Sequence, residues 1–232
     1  MWRLTAGAVL LTFSVPALAQ DPIPDTLRGI DKLAAIVQRV SQVQAATTTL
    51  EAMFEQKRTS RLLAVPSVSR GHFYFRAPDQ VRWEYEPPRQ MTVLLSGGVA
   101  LTYRPVEKRA ERVEVGRRQR KVFRFLGAAE PLEQLKRYFS FTLRDRGDDA
   151  NYVLILEPTA HVLKKHVKQV VVEIDRNGFM PVAVTYSEPD GDSTDYVFRH
   201  IVRNKPIPDG LFTLDLPSDV QVVEVKLKSR DE

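Results

Sequence analysis

The sequence predicts an α+β chain built mainly from one large antiparallel sheet. Three observations predict it. About ten short runs alternate apolar and polar residues with period two, the signature of strands with one buried face. Turn-forming clusters rich in glycine, asparagine and proline separate several of them. Only about two or three stretches carry a helical repeat. A twisted sheet of about ten strands must curl or close. No internal repeat or low-complexity linker divides the chain, so residues 20–232 are expected to form one domain.

Taken in order, the elements begin with a secretory signal peptide over residues 1–19. Arg3 supplies the positive start, Leu4 to Val15 the short apolar stretch, and Ala17-Leu18-Ala19 a small-x-small cleavage site. The apolar run is too short to anchor in a bilayer, so the expectation is a soluble periplasmic protein beginning at Gln20. After Pro22 and Pro24, Thr26 to Gln44 reads as an amphipathic helix, with Ile30, Leu33, Ala34, Val37 and Val40 at helical spacing. The period then changes to two. Leu50, Ala52 and Phe54 fall on one face of 49–56, against Glu51, Met53 and Glu55.

The strand runs that follow suggest a meander. Residues 71–76 alternate Phe73 and Phe75 with His72 and Tyr74, and 81–85 put Val81, Trp83 and Tyr85 together. Residues 91–95 and 99–104 flank Ser96-Gly97-Gly98, a hairpin signal because glycine accepts the positive φ of tight turns. Residues 106–115 form a highly charged strand candidate. A second helix is expected over 131–138, with Pro131 in its first turn. Strands resume at 139–144, 152–157, 170–175, 180–188 and 194–203, with Arg176-Asn177-Gly178 and Pro189-Asp190-Gly191-Asp192 as turns. Residues 161–169 read either as a helical excursion or as a loop.

Composition excludes several chemistries. The chain has no cysteine, hence no disulfide, thiolate metal site, cysteine nucleophile or lipidated N-terminal cysteine. Net charge is +5, and +4 once Arg3 is removed with its segment. That balance suits anionic lipid or an acidic partner, and equally carries no functional meaning. Nucleic acid is not an expected partner outside the cytoplasm. His72, His161, His166 and His200 make no metal signature, since His161 and His166 miss the i,i+4 spacing of a zinc pair. No nucleophile elbow, phosphate loop or dinucleotide fingerprint occurs, and Asp148-Asp149 beside Gly147 reads as a turn. No catalysis, cofactor or metal is expected. Arg117-Arg118-Gln119-Arg120-Lys121 and Arg124, near Phe123 and Phe125, read either as contact with anionic headgroups or as a solvated loop. Arg89 and Arg104 suit charges that discourage edge-to-edge association.

The stretch Gly71-His-Phe-Tyr-Phe-Arg-Ala-Pro-Asp-Gln-Val-Arg-Trp-Glu-Tyr-Glu-Pro-Pro88 resembles the signature strand pair of the periplasmic outer-membrane lipoprotein carriers, the LolA-like family. Residues 49–56 upstream, and 93–98, 101–105 and 211–217 downstream, agree in order and spacing. The resemblance implies an unclosed (half) β-barrel whose concave apolar face is covered by helices. It also implies a monomeric carrier without catalysis. Such a carrier takes an acylated lipoprotein from an inner-membrane ABC-type lipoprotein-releasing transporter and hands it to an outer-membrane acceptor.

The physics of that task matches the pattern. Exposing a chain of about sixteen carbons to water costs on the order of 12 kcal/mol. An empty shelter exposes apolar area too, and so needs a movable cover. Candidate lining residues are Leu50, Phe54, Phe73, Phe75, Val81, Trp83, Tyr85, Val93, Leu95, Leu101 and Tyr103. The alternative is that they form an ordinary closed core. The candidate lid is the 26–44 helix through Ile30, Leu33, Val37 and Val40, with the 131–138 helix second.

The resemblance also implies an arginine just before the proline that ends the first signature strand, bonded to the lid. Here that position is Ala77, and the arginine is Arg76. A shift of one residue turns the side chain to the opposite face unless a bulge before Pro78 restores it. The latch role at Arg76 stays open, and so do two other functions: a carrier of a non-protein lipid or glycolipid, and a periplasmic sensor or interaction module on the same fold.

Overall fold

A computed structural model describes residues 22–115, 132–144 and 150–225. The signal segment, the basic run 117–124, Pro131 and the Gly147–Asp149 turn lie outside them.

Helix α1 spans Gly29–Ala45 and leads into strands β1 (Thr49–Thr59), β2 (Ser67–Arg76), β3 (Gln80–Tyr85), β4 (Met91–Ser96), β5 (Val99–Arg104) and β6 (Arg109–Glu114). The short helix α2 (Leu132–Leu135) precedes β7 (Phe139–Arg144) and β8 (Tyr152–Pro158). Then come α3 (His161–Lys164), β9 (Gln169–Ile174), β10 (Pro181–Ser187), β11 (Ser193–Arg203), a 3-10 turn at Asp209–Phe212, and β12 (Gln221–Val225). The open question at 161–169 resolves as one helical turn followed by a short loop.

All twelve strands form one unclosed sheet in the order β12-β6-β5-β4-β3-β2-β1-β11-β10-β9-β8-β7. Two meanders build it: β1 to β6 run outward in one direction, β7 to β11 return from the other edge, and β1 pairs with β11 where they meet. Every pairing is antiparallel except β12 on β6. Two register shifts bend the sheet, the first of them at the β1–β11 seam. One lies between Glu51 and Met53, where β11 carries an extra residue beside the positive-φ His200, and one between Pro181 and Ala183 on β10. Such bulges raise local twist and let a wide sheet coil.

One face of this sheet is largely apolar. Direct pairing carries it across strands, from Leu143 through Leu154 and Val172 to Val184 and Tyr196. Ile36, Val37, Val40 and Val43 of α1 are buried in the same hydrophobic cluster as Phe73, Trp83, Leu154 and Val184. The α1–β1 elbow is held by Asn204, whose Oδ1 accepts from the Thr48 N–H (2.8 Å) and whose Nδ2 donates to the Ala46 carbonyl (3.0 Å).

The other face carries a smaller arrangement. The 3-10 turn packs against β3 and β4, with Phe212 buried beneath it and Leu94 buried on that face. Arg82 clamps the turn by donating from Nη1 to the carbonyls of Leu211 (2.9 Å) and Thr213 (3.2 Å).

Candidate functional site

Strand register sorts the expected lining residues without ambiguity, because residues directly opposite in an antiparallel pair share a face. Leu50 pairs with Phe75, Phe75 with Val81, Val81 with Leu95, and Leu95 with Ala100. One step along, Ala52, Phe73, Trp83, Val93 and Thr102 form the parallel row. Phe54, Gly71 and Tyr85 make a third. Leu50, Phe54, Phe73, Phe75, Val81, Trp83, Tyr85, Val93 and Leu95 therefore share the apolar face, and all but Tyr85 and Val93 are buried.

Leu101 and Tyr103 do not join them. Their register partners are Leu94 and Thr92, so they belong to the face carrying the 3-10 turn. The two-residue Gly97-Gly98 turn pairs Ser96 with Val99 and so matches odd positions on β4 with even ones on β5. Ala100 and Thr102 occupy the places expected of Leu101 and Tyr103.

At the seam the face is aromatic. Trp83 is its centre: Phe54 meets it edge-on at 4.7 Å, Phe73 at 4.7 Å, Tyr196 at 5.4 Å and Phe198 at 5.9 Å between ring centroids. Phe54 also meets Tyr85 edge-on at 5.0 Å. Gly71 makes room for this. A Cβ there would stand 1.8 Å from the Glu84 carbonyl oxygen and 3.0 Å from the Phe54 ring. The missing side chain lets Phe54 lie over the β2 backbone, as aromatic side chains do beside strand glycines. Tyr196 and Phe198 were not legible as partners of Trp83, because the β1–β11 pairing that brings them in joins distant parts of the chain.

The polar groups within the cluster are the hydroxyls of Tyr85 and Tyr196, which hydrogen-bond to each other. Burial pushes the Tyr85 hydroxyl far above the usual tyrosine range, with the Tyr196 hydroxyl adding to the effect. Burial raises Tyr196 as well, against the opposing pull of the Tyr85 bond and of Arg58. Both therefore stay neutral at any ordinary pH. An aromatic and aliphatic surface of this kind is chemically suited to hydrocarbon.

Helix α1 contributes Val37 and Val40, both fully buried, and Leu33, half-buried. Ile30 is not part of the buried stripe, being 83 % exposed. It lies in the first turn and about 120° round the helix from Ile36 at about 100° per residue. The stripe runs instead through Ile36, Val40 and Val43, with Val37 beside it. A narrow crevice lined by Leu50, Ala52, Phe73, Met180, Pro181, Phe198 and Ile201 has a cavity volume of about 10 Å³, room for about one water molecule.

Arg76 is on the opposite face. No register shift interrupts β1–β2 or β2–β3, so no bulge turns it back. Its guanidinium donates to Asp209 Oδ1 (2.8 Å) and to the carbonyls of Ile207 (3.0 Å) and Pro208 (3.1 Å), and lies over the Phe212 ring at 4.5 Å. The element it holds is the 207–212 segment. Among the described residues no cluster of His, Asp and Glu is arranged to hold a metal ion, and no helix is long and apolar enough to cross a membrane.

Comparison with known proteins matches the sequence to a family. Residues 45–215 fit the family model described as outer membrane lipoprotein carrier protein LolA. An outer-membrane lipoprotein carrier protein of Helicobacter hepaticus is 24 % identical over 177 residues, covering 76 % of this chain and 84 % of that one. Among solved structures, an uncharacterized conserved protein from Thermus thermophilus superposes with a TM-score of 0.52 at 13 % identity, over 83 % of this chain and 99 % of the other. MucB superposes with a TM-score of 0.51 at 13 % identity, over 82 % of this chain and 64 % of its own length. Both structural likenesses establish the fold.

Proposed function

The chain belongs to the outer membrane lipoprotein carrier family, and from that premise we propose that it shelters lipoprotein acyl chains in the periplasm and delivers them from the inner to the outer membrane. The observation that carries this reading is the Trp83-centred apolar face, whose hydrophobic cluster includes the buried stripe of α1. In this reading the face is concave, residues 1–19 are a removed export signal, α1 is the cover, and an ABC-type transporter and an outer-membrane acceptor are the partners.

The crevice of about 10 Å³ is far smaller than the roughly 300–1,000 Å³ of ordinary ligand pockets. An acyl chain therefore enters by displacing α1 and part of the aromatic cluster. The Asn204-bound elbow at 46–48 is the natural hinge.

Trp83 makes the reading testable. It is the one tryptophan besides Trp2, so in protein beginning at Gln20 all tryptophan emission comes from the cluster's centre. A fatty acid brominated along its chain should quench that emission saturably, and unbrominated palmitate should compete. Added to spheroplasts with the transporter present, the same protein should release outer-membrane lipoproteins into the supernatant. Absence of quenching by folded protein would sink the shelter. Quenching without release would leave the shelter and remove the lipoprotein role.

A second reading keeps the shelter and changes the cargo to a non-protein lipid. It is favoured by Arg76, which is committed to the 207–212 segment on the far side from the apolar face. Mass spectrometry of lipid co-purifying with the native protein separates the two, since a reproducible non-protein lipid argues for the second. A module that recognises a protein partner would show neither quenching nor release.

A further inference from the structure

The hairpin joining β1 and β2 ends in an apolar tip that the shelter does not use. Leu62 is 94 % exposed and Val65 73 %, with Leu63 and Val68 also exposed and Pro66 between them. Exposed aliphatic side chains grouped this closely on a short loop are unusual for a surface facing only water. β1 and β2 run on past the end of β3, which stops opposite Gly71. Thr59 is about 17 Å along β1 from Phe54 at about 3.3 Å per residue. The tip thus projects from the Phe54–Tyr85–Tyr196 end of the aromatic cluster.

Its backbone is suited to leaving water. The Leu63 N–H donates to the Ser60 carbonyl (3.0 Å), the Leu62 N–H to Ser60 Oγ (3.3 Å) and the Arg61 N–H to Asp192 Oδ1 (3.3 Å). Pro66 has no N–H. Three donors of the loop are therefore already met within the protein, which lowers the desolvation cost of insertion. The charges behind the tip nearly balance: Lys57, Arg58, Arg61 and Arg70 stand among Glu55, Glu188, Asp190, Asp192 and Asp195, with Arg70 on Glu55 at 2.9 Å, Arg58 facing Asp192 at 3.9 Å and Lys57 opposite Asp195 in the strand register.

We infer that the β1–β2 tip is a membrane wedge: Leu62, Leu63 and Val65 enter the interfacial layer of a phospholipid bilayer and seat the aromatic end of the sheet against it. The residue types favour lipid over a protein pocket. Leucine and valine are under-represented among the residues that anchor protein interfaces, where tryptophan, tyrosine and arginine dominate. They are among the side chains most favourable in a membrane. Insertion is shallow, within the headgroup–acyl boundary, and the nearly balanced collar makes it depend little on salt or on anionic lipid. That seating lets an acyl chain pass between bilayer and shelter without crossing bulk water is a use that rests on the carrier reading; the binding itself does not.

The test is flotation of the protein beginning at Gln20 with vesicles of phosphatidylethanolamine and a minor share of phosphatidylglycerol. The parent should float. Leu62→Asp combined with Val65→Asp should lower the bound fraction at least about tenfold, given the cost of a carboxylate in the apolar layer. High salt should change binding by less than about twofold. Parent protein that stays in solution overturns the inference, and so does a double variant that floats like the parent. Binding that collapses in salt, or that requires phosphatidylglycerol, also counts against an apolar wedge. Quenching of Trp83 by brominated fatty acid is read in the same samples. Quenching reports the shelter and far-UV circular dichroism of the same samples reports folding, so loss of the wedge and loss of the carrier reading give different results.

Discussion

Replacing Gly71 with alanine tests whether the aromatic cluster is built on a missing side chain. The added Cβ would stand 1.8 Å from the Glu84 carbonyl oxygen, where real contacts stay beyond 3.0 Å. The obstacle is backbone, not a side chain that can rotate away, so β2 and β3 must part by about 1.2 Å, the difference between those distances. The shift falls where Gly71 pairs with Tyr85 and where the Glu86 N–H donates to the Arg70 carbonyl at 2.9 Å. It also lifts Phe54 off Trp83 and Tyr85. Overpacking costs about 1–3 kcal/mol, and each lost edge-on ring contact about 0.5–1.5 kcal/mol. Alanine recovers about 0.4–1 kcal/mol through the unfolded chain, which is too little to change the sign. The expected net loss is about 3 kcal/mol. With a urea dependence of about 2–3 kcal/mol per molar, the midpoint falls by about 1–1.5 M. Trp83 fluorescence follows the transition directly. Gly210→Ala is the control, because nothing lies within 4 Å of a Cβ built there. It should change stability by less than about 0.5 kcal/mol. If Gly71→Ala behaved like Gly210→Ala, the account of why glycine stands in this strand would be refuted.

The tyrosine pair gives an alkaline prediction. Burial raises both hydroxyls, so above about pH 10 the unfolded chain loses protons that the folded one keeps. Their contribution to stability is therefore complete below about pH 10 and is lost as pH rises beyond it. Tyr85→Phe with Tyr196→Phe should flatten the fall in urea midpoint across that range; a variant with the parent's slope would place the alkaline sensitivity elsewhere. Arg76→Ala should loosen the 207–212 segment by about 1–2 kcal/mol through the lost carbonyl bonds and the Phe212 contact. Asp209 is 99 % exposed and its ion pair adds little. Amide exchange over 209–213 should quicken about tenfold or more, lysine should not restore it because it lacks the guanidinium fork, and quenching of Trp83 should be unchanged. A lost Trp83 response would mean that the segment supports the shelter after all.

How far the sequence reveals the fold depends on whether local chemistry decides the matter. The Phe73–Phe75 and Val81–Trp83–Tyr85 alternations are local, and both place their residues on the face expected. The faces of β4 and β5 depend on the turn between them. Gly97-Gly98 was visible as a turn, but its two-residue length sets the parity that sends Leu101 and Tyr103 to the opposite face. In α1 the apolar residues permit more than one stripe, and only packing selects Ile36 and Val43 over Ile30. β12 carries no buried position to mark a period. Its parallel pairing with β6 is a long-range fact, fixed with help from Lys108–Asp219 at 2.7 Å and Arg112–Glu224 at 3.1 Å. Arg76 was legible as a face question and not as an answer: the uninterrupted register puts it outside, and the partner it finds there comes from the far end of the chain.

Within the carrier reading, the same contacts that keep the empty protein folded set the cost of loading it. Ile36, Val37, Val40 and Val43 are buried almost completely. Exposing four such side chains costs about 6–12 kcal/mol at about 1.5–3 kcal/mol each, an upper estimate because α1 need not reach full exposure. Sheltering one chain of about sixteen carbons returns on the order of 12 kcal/mol. The two nearly cancel, and a carrier requires that. If α1 packed much less tightly, the empty face would be exposed and cargo, once bound, would not leave. If it packed much more tightly, a single chain could not open it. Apolar residues on α1 that are small and branched, with the larger aromatic rings kept on the sheet, hold the cover in this intermediate range while leaving Trp83 and its neighbours to receive the chain.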